Sequence, residues 1–341
     1  MASPLVECVP NFSEGKDAEI IDSITAAMLT VDDVRLLDVD MGYDFHRTVV
    51  TIVGPPEQIL ESVLRGTAVA LDSIDMREHT GEHARMGAVD VVPFIPVQDV
   101  TMDECVKLAE RYGEAVAEKF GLSVYLYAEA ARESSRVKLP DIRRGEYEGL
   151  ANKLSDPNWQ PDFGPSQFNP LFGVTATGAR PILIAYNVNL DTNDKTITNK
   201  IAGKLRTSGV LLKDDNGDKI IGDDGKPMRT NGRFMALQGA GWMYDEDTAQ
   251  VSMNLLDYTI TGLHDVTDAI RELALESGHN TTAGELVGLV PLRAIVDAGI
   301  HYHGGDGPQE DLIKAAIDGL QLSELGDFII EKRIIEFAAG V

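Results

Sequence analysis

Val34-Arg-Leu-Leu-Asp-Val-Asp40, Met41-Gly-Tyr-Asp44 and Arg47-Thr-Val-Val-Thr-Ile-Val53 decide the fold of the first half of this chain. The first piece reads as an apolar strand, the second as a turn, and the third, dense in β-branched residues, as the returning strand. Toward the N-terminus, Ala18 to Leu29 carries Ile20, Ile21, Ile24 and Met28 at helical spacing. Before that helix, Leu5 to Pro10 is a short strand that ends at the loop residues Asn11-Phe-Ser-Glu-Gly15. Toward the C-terminus, Pro55-Pro56 opens a second helix that runs to about Ile74, with Ile59, Leu60, Val63, Leu64, Val69 and Leu71 inward. The run Ala88 to Phe94 reads as a buried strand. The order is β-α-β-β-α-β, the ferredoxin-like unit. A helix capped by Thr101 or Asp103 and reaching about Phe120 follows, then one more strand, Leu122 to Tyr127.

Residues 132–180 break this rhythm. They are rich in Pro, Gly, Asn and Ser, with aromatic residues at Trp159, Phe163, Phe168 and Phe172, and a long segment of this kind is a functional loop more often than a bare linker. From Pro181 the order repeats: a strand from Ile182 to Leu190, a helix from a Thr192 cap to about Arg206, a strand pair from Arg233 to Met243 and Thr248 to Tyr258, a helix over 264–276 and a strand from Glu285 to Pro291. The expected class is α+β: two ferredoxin-like sandwich subdomains packed side by side, 1–181 and 182–341, without evident identity between the halves. Residues 211–232 read as a charged hairpin insertion. Its Asp214-Asp-Asn-Gly-Asp218 lacks the spacing of a calcium loop. His301-Tyr-His303-Gly-Gly305 reads as an exposed turn.

The totals exclude several classes. With 341 residues and 43% apolar content there is ample material for a core, and no apolar run approaches the ~20 residues of a spanning helix. The first residues lack the basic and apolar regions of a secretory signal. Cys8 and Cys105 are the only cysteines, too few for a disulfide framework. Together these point to the cytoplasm and away from membranes. A net charge of −25 speaks against nucleic acid, whose phosphates need a basic face. The densest basic stretch is Arg132, Arg136, Lys138, Arg143 and Arg144, set against only Glu133 and Asp141, so it is either an anion-binding surface or a solvated turn region.

The chemistry is expected at Arg77-Glu-His-Thr-Gly-Glu-His-Ala-Arg-Met-Gly87, directly before the buried strand. His79 and His83 lie four apart with Glu82 between them and Arg85 after them. Three readings remain open. The letters His79-Thr-Gly-Glu-His83 fit a zinc pattern that needs both histidines on one helical face, although Gly81 inside it weakens a helix by ~1 kcal/mol. A loop histidine that only caps or hydrogen-bonds is the bland reading. General acid/base work is the third, suited to an imidazole near neutral pH.

The same stretch resembles the glutamate formiminotransferase family, whose motif runs approximately H-x-G-E-H-P-R-M-G-A-x-D-V-x-P-F-I-P-V. Further matching blocks are Leu5-Val-Glu-Cys-Val-Pro-Asn-Phe-Ser-Glu-Gly15, Leu37-Asp-Val-Asp40, Val124-Tyr-Leu-Tyr127, Arg144-Gly-Glu-Tyr-Glu148, Pro161-Asp-Phe-Gly-Pro-Ser166, Thr177-Gly-Ala-Arg180 and Leu286-Val-Gly-Leu-Val-Pro-Leu292. They cover nearly the whole chain in order. The resemblance implies transfer of a formimino group between tetrahydrofolate, as co-substrate, and glutamate in histidine breakdown, by a cytoplasmic homodimer that needs no metal. It implies His83 as the proton-transfer residue. Asp40 is the candidate to orient His83 or stabilise a charged amidine, Asn11 a polar contact, and Arg85 a group that orients a carboxylate. Gly164, Pro165, Ser166, Gln167, Phe168, Asn169, Pro170, Leu171, Phe172 and Gly173 match the family's folate-binding segment. Two departures stand out: Ala84 replaces the usual Pro, and His46 stands where a small amide is common. Animal members of the family carry a cyclodeaminase domain; with this sequence ending at Val341, that activity is expected to belong to another protein. Alternatives are formyl transfer from N-formylglutamate, cyclisation of a formylfolate, and a folate-binding module without catalysis.

Overall fold

A computed structural model describes residues 4–81, 83–214, 216–222 and 225–340. The chain is a mixed α/β protein with two sheets, and it divides into two compact units, Met1–Pro181 and Ile182–Gly340.

The first unit begins with β1 (Leu5–Cys8) and β2 (Asn11–Phe12), two parts of one strand interrupted at Val9-Pro10. Then come α1 (Ala18–Met28), the hairpin β3 (Arg35–Gly42) and β4 (Arg47–Gly54), α2 (Pro56–Ser73), β5 (Val89–Gln98), α3 (Met102–Phe120) and β6 (Ser123–Ala128). The local signals are clear. Asp17 caps α1 by accepting the amides of Glu19 and Ile20, and α1 buries Ile21, Ile24, Thr25 and Met28 at three- and four-residue spacing. Pro56 starts α2 at a position where its missing N–H is harmless. Thr101, rather than Asp103, caps α3 in a reciprocal box with Glu104. These helices bury their apolar stripes against Val6, Cys8, Phe12, Val50, Ile52, Val92 and Phe94 of the sheet.

The sheet is larger than the four strands of a ferredoxin-like unit: it also takes in the expected strand at 122–127 and one strand the sequence reading did not assign. Its order is β3-β4-(β1/β2)-β5, extended beyond β5 by β7 (Val174–Ala179) and then β6. β7 runs parallel to both β5 and β6 and lies between them. It falls inside the segment 132–180, where its sequence, Val-Thr-Ala-Thr-Gly-Ala, carries no large apolar side chain to betray it. Its small residues suit a strand buried along its whole length. Ahead of β7, α4 (Leu139–Arg143) and α5 (Leu150–Ser155) pack Ile142, Leu150 and Leu154 with Met86, Val91, Tyr125 and Val174 in a second core cluster.

The second unit contains β8 (Ile184–Leu190), α6 (Lys195–Leu205), β9 (Leu237–Met243), β10 (Ala249–Leu255), α7 (Leu263–Glu276) and β11 (Thr281–Val287). Its sheet is antiparallel throughout, in the order β11-β8-β10-β9. Three boundaries move. The cap of α6 is Asp194, whose carboxylate accepts the Thr196 amide, while Thr192 instead accepts the amide of Asp194. β9 starts at Leu237, not Arg233, and β11 starts earlier, at Thr281. The stretch His301-Tyr-His303 is no turn: it is the last turn of α8 (Leu292–His303), which ends at Gly304 in the left-handed conformation. Further on lie α9 (Gln309–Gly319), α10 (Ile330–Arg333) and α11 (Ile335–Ala339). Bridges Leu211↔Arg229, Lys213↔Lys219 and Ile221↔Pro227 tie the insertion into hairpins, although Asp215, Asp223 and Asp224 lie outside the described residues. Among the described residues, no helix is long and apolar enough to cross a membrane.

Candidate active site

His79 and His83 sit on a loop, not a helix, so the one-faced geometry of the zinc pattern is not formed; Glu82 lies outside the described residues. The loop is pinned by close approach. A Cβ on Gly81 would lie 2.3 Å from the carbonyl oxygen of Phe45 and 2.7 Å from the Cβ of His46, so the loop crosses the β3–β4 turn where only a glycine fits. The three histidines of this crossing have different surroundings.

His79 is buried and both of its nitrogens are engaged. Nε2 donates to the carbonyl of His46 at 2.7 Å, and Nδ1 accepts from Nε of Arg85 at 3.2 Å. This fixes a neutral tautomer, and burial holds the ring below the ordinary histidine value. His46 stacks on it, 4.2 Å between centroids and 10° between planes. The Nδ1 of His46 lies 2.8 Å from the Thr80 carbonyl, and its Nε2 lies 3.2 Å from Oε1 of Glu14. Burial alone would raise Glu14, but the amides of Asp17 and Lys16, with His46 and Gly15, outweigh it and hold the carboxyl low. His46 has φ of 48°, a left-handed conformation that asparagine and histidine tolerate better than most residues.

His83 is the one ring with a nitrogen to offer. Its Nδ1 donates to the carbonyl of Ala84 at 2.7 Å, and no hydrogen bond among the described residues engages Nε2. Burial lowers its proton affinity, and the charges of Arg47 and Arg143 lower it further. The ring is therefore neutral near pH 7, with the Nε2 lone pair available: the state a general base requires. Phe45, half-exposed, meets it edge to face at 6.3 Å.

Behind His83 lies a charge cluster that the sequence reading did not assemble. Asp90 on β5 is fully buried. Its Oδ2 takes Nη1 of Arg47 at 2.6 Å and Nη2 of Arg143 at 2.5 Å, and its Oδ1 accepts the Met86 amide at 2.8 Å. Burial would raise this carboxyl, but the two guanidinium groups keep it below the usual carboxylate range. Two cations on one anion leave a net charge of +1. A charged residue within the apolar run Ala88–Phe94 was the available signal; its partners, 43 and 53 residues away, were not.

The other expected site residues separate into groups. Asn11 joins the cluster: its Oδ1 accepts from Nε and Nη2 of Arg47 at 3.1 and 2.7 Å, and its Nδ2 donates to the Val9 carbonyl. Asp40 is exposed on β3, and among the described residues no hydrogen bond joins it to His83, whose orienting partner is instead the Ala84 carbonyl. Register nevertheless relates it to Asn11. Both pair with Val49, from opposite sides, so their side chains leave one sheet face about 10 Å apart. Arg85 is buried and its nitrogens meet protein partners. Its fork meets Glu148 at 2.6 and 3.0 Å, Nη1 reaches Glu146 at 3.3 Å, and Nε holds His79.

The segment from Gly164 to Gly173 runs along the same region. Gly164 passes the Leu122 carbonyl, the Pro165 carbonyl accepts from Ser123, Ser166 bonds Gln160, and Gln167 is exposed. Phe168 packs edge to face on Tyr147, Asn169 bonds the Leu171 amide, the Pro170 carbonyl accepts from Tyr147, and the Leu171 carbonyl accepts the Met76 amide. The Phe172 carbonyl accepts the Ala88 amide. Gly173, at φ 68°, lies so close to Met86 that a Cβ would sit 2.0 Å from its carbonyl oxygen. The segment's C-terminal end is thus stitched to the strand start that follows His83. The basic stretch does not form one face: Arg132 and Arg144 are exposed, while Arg136 and Arg143 turn inward. Arg136 turns inward to Asp162, Arg143 to Asp90, Arg132 pairs with Glu110, and Arg144 pairs with Asp141.

Comparison with known proteins bears on what this arrangement does. Residues 5–180 match the family model of the formiminotransferase domain, N-terminal subdomain, and residues 185–339 that of the formiminotransferase domain. The chain is 44% identical over 340 residues to a formimidoyltransferase-cyclodeaminase of Sus scrofa, covering 98% of this chain and 60% of that protein. It is 36% identical over 299 residues to a glutamate formimidoyltransferase of Streptococcus pyogenes serotype M1, covering 87% and 93%. A glutamate formimidoyltransferase of Thermoplasma acidophilum is 39% identical over 300 residues, covering 87% and 92%. The chain spans about 60% of the length of the cyclodeaminase-bearing relatives.

Proposed function

The chain belongs to the formiminotransferase family, and on that premise we propose that it is a glutamate formimidoyltransferase, moving a formimino group between N-formiminoglutamate and tetrahydrofolate in histidine breakdown. The single observation that carries the reading is the state of His83: Nδ1 tied to a backbone carbonyl, Nε2 unengaged by any described residue, and the ring kept neutral by burial and two neighbouring cations. In the transfer, a pterin nitrogen attacks the formimino carbon. The tetrahedral adduct must lose a proton from that nitrogen, and the departing glutamate nitrogen must gain one. Nε2 of His83 takes the first proton and delivers the second. Asp40, an exposed carboxylate on the face that also carries Asn11, stabilises the positive character of the amidine. Asn11 holds Arg47, and residues 164–173 line the folate; their join to the His83 strand supports a folate held beside that ring, a proximity that itself lowers the barrier.

The rest of the reading follows the family. Tetrahydrofolate is a co-substrate and no metal takes part. His79, with both nitrogens engaged, has no lone pair for a ligand bond. Each unit is taken as ferredoxin-like, the first enlarged by two strands; the β11-β8-β10-β9 order supports this for the second. Two free, buried cysteines are in keeping with a cytoplasmic enzyme, and the homodimer is carried over from the resemblance. The deciding experiment is turnover by the purified protein with tetrahydrofolate, offering N-formiminoglutamate and N-formylglutamate in turn. Release of glutamate from the first alone is expected. Release from the second alone would replace this reading with formyl transfer.

A further inference from the structure

Four arginines of the first unit are largely buried, and they use their nitrogens differently. Arg47 and Arg85 engage all three. Arg136 engages both terminal nitrogens, with one carboxylate and two carbonyls, and leaves only a buried Nε without an acceptor. Among the described residues Arg143 makes one hydrogen bond, Nη2 to Asp90, and so leaves both Nε, which is buried, and Nη1 without acceptors. A guanidinium carries five N–H groups and cannot discharge itself by losing a proton. Donors left unmade on a charge removed from water are expensive, and an anionic oxygen is what relieves them.

Where Arg143 sits gives this a direction. It ends α4, its charge acts on the His83 ring, and it shares the buried Asp90 with Arg47, so it is held rather than free to swing away. Asp90 offsets only one of the two cations. The chain as a whole is strongly acidic, at −25, so a positive group held beside His83 is a selective feature against the overall field. We propose that Arg143 receives a substrate carboxylate beside His83, with Asp90 acting through it as a positioning residue. This rests on the proposed function for the identity of the ligand. Two substrates bring carboxylates: the amino acid, with one on its α-carbon and one on its side chain, and the folate, on its glutamyl tail. The recognition chemistry is the same for each, guanidinium to carboxylate.

The test uses the wild type, Arg143→Met and Arg143→Lys. In Arg143→Met, Asp90 keeps Arg47 and the Met86 amide, so the buried carboxylate stays paired. KM is measured for N-formiminoglutamate and for its analogues on 2-aminobutyrate, without the side-chain carboxylate, and on 4-aminobutyrate, without the α-carboxylate. The co-substrate is tetrahydrofolate or tetrahydropteroate, which lacks the tail. The wild type should lose about 10- to 100-fold on whichever compound lacks the recognised carboxylate. Arg143→Met should lose the same factor on the complete substrate and nothing more on that compound, which identifies the source. A variant that discriminates among all these compounds as sharply as the wild type overturns the proposal. If Arg143→Met does not fold, Arg143→Lys decides: it keeps the charge without the planar fork, and it should blunt the same discrimination and no other. Should the wild type show no formimino transfer, the functional reading fails separately. Calorimetric titration of glutamate, 2-aminobutyrate and 4-aminobutyrate, and of folic and pteroic acids, into wild type and Arg143→Met then decides the carboxylate site alone: equal affinities in the two proteins for every ligand would overturn it.

Discussion

In the first unit His46 stacks on His79 at 4.2 Å with Glu14 on its Nε2; in the second, His264 stacks on His301 at 4.7 Å with Asp268 on the Nε2 of His301. On paper the two are alike: a histidine pair, a carboxylate at hydrogen-bond distance, and an arginine close by. Burial and what surrounds the pair tell them apart. Arg85 fixes the tautomer of His79, and the loop crossing at Gly81 brings a third ring, His83, up to a buried Arg–Asp–Arg cluster. In the second unit Asp268, within α7, is shared by Arg271 and by His301 and Tyr302 of the last turn of α8, and the carboxylate and the His301 ring are both exposed, so water screens the charges. A histidine–carboxylate pair is therefore common furniture. The second unit also has a ring nitrogen left over, Nδ1 of His264, but it is buried; what sets the first unit apart is a third ring, His83, beside the buried Arg47–Asp90–Arg143 cluster.

The comparison can be broken most easily at the two carboxylates. Asp90→Ala leaves Arg47 and Arg143 buried against each other, and a stability loss of about 3–5 kcal/mol is expected in denaturant unfolding. Asp268→Ala, which breaks exposed pairs, should lose no more than about 1 kcal/mol. Equal losses would mean that burial is not what separates the clusters. Next in size is the proton carrier. His83→Ala should lower turnover by about 10²-fold or more, while folate binding, followed by fluorescence quenching, is retained. His79→Ala leaves the carrier in place and should lose less. Unchanged turnover in His83→Ala would move the chemistry elsewhere.

The pH profile sharpens the contrast further. His83 must be neutral to accept a proton, and its folded value lies below the ordinary 6.5. The acid limb of kcat/KM should therefore fall below pH 6.5, dropping about tenfold per unit once the ring is protonated. The sign for stability is the same. His79 and His83 both bind protons more weakly when folded, so stability is intact above the unfolded value and declines as pH falls through the lower folded values. An acid limb above pH 7 would contradict the lowered value. The smallest effect is expected at His301→Ala, on the surface of the second unit: a change within about 0.5 kcal/mol in stability and none in turnover. A marked loss of activity there would give the second cluster a part in the chemistry.

Much of the scaffold was legible, for local reasons. Helical spacing gave α1 and α2, the Thr101 capping residue gave the start of α3, and alternation with β-branched residues gave the β3–β4 hairpin. β7 escaped because Val-Thr-Ala-Thr-Gly-Ala has neither bulk nor alternation; what makes it a strand is two neighbours, one on each side. The helical turn at His301-Tyr-His303 escaped because the two glycines after it read as a loop, although a glycine at that point is a helix stop. In the site, His83 was read from its motif, Arg85 was the candidate to orient a carboxylate, and Arg143 belonged to a basic stretch left open between anion binding and a solvated turn. In the structure Arg85 is occupied by Glu146 and Glu148, and Arg143 is the buried guanidinium with donors to spare.

The sequence by itself determined the element types and most of their order, because propensity, capping and periodicity act within a few residues along the chain. Only the tertiary structure decided the lowered proton affinity of His79 and His83, the partners of each arginine and the position of β7. Those depend on hydrogen bonds and charges between residues 43, 53 and 63 positions apart, Arg47 with Asp90, Arg143 with Asp90 and Arg85 with Glu148, and on the burial that removes water from them. A side chain's identity is local. Its charge state and its partners are set by what the fold brings beside it.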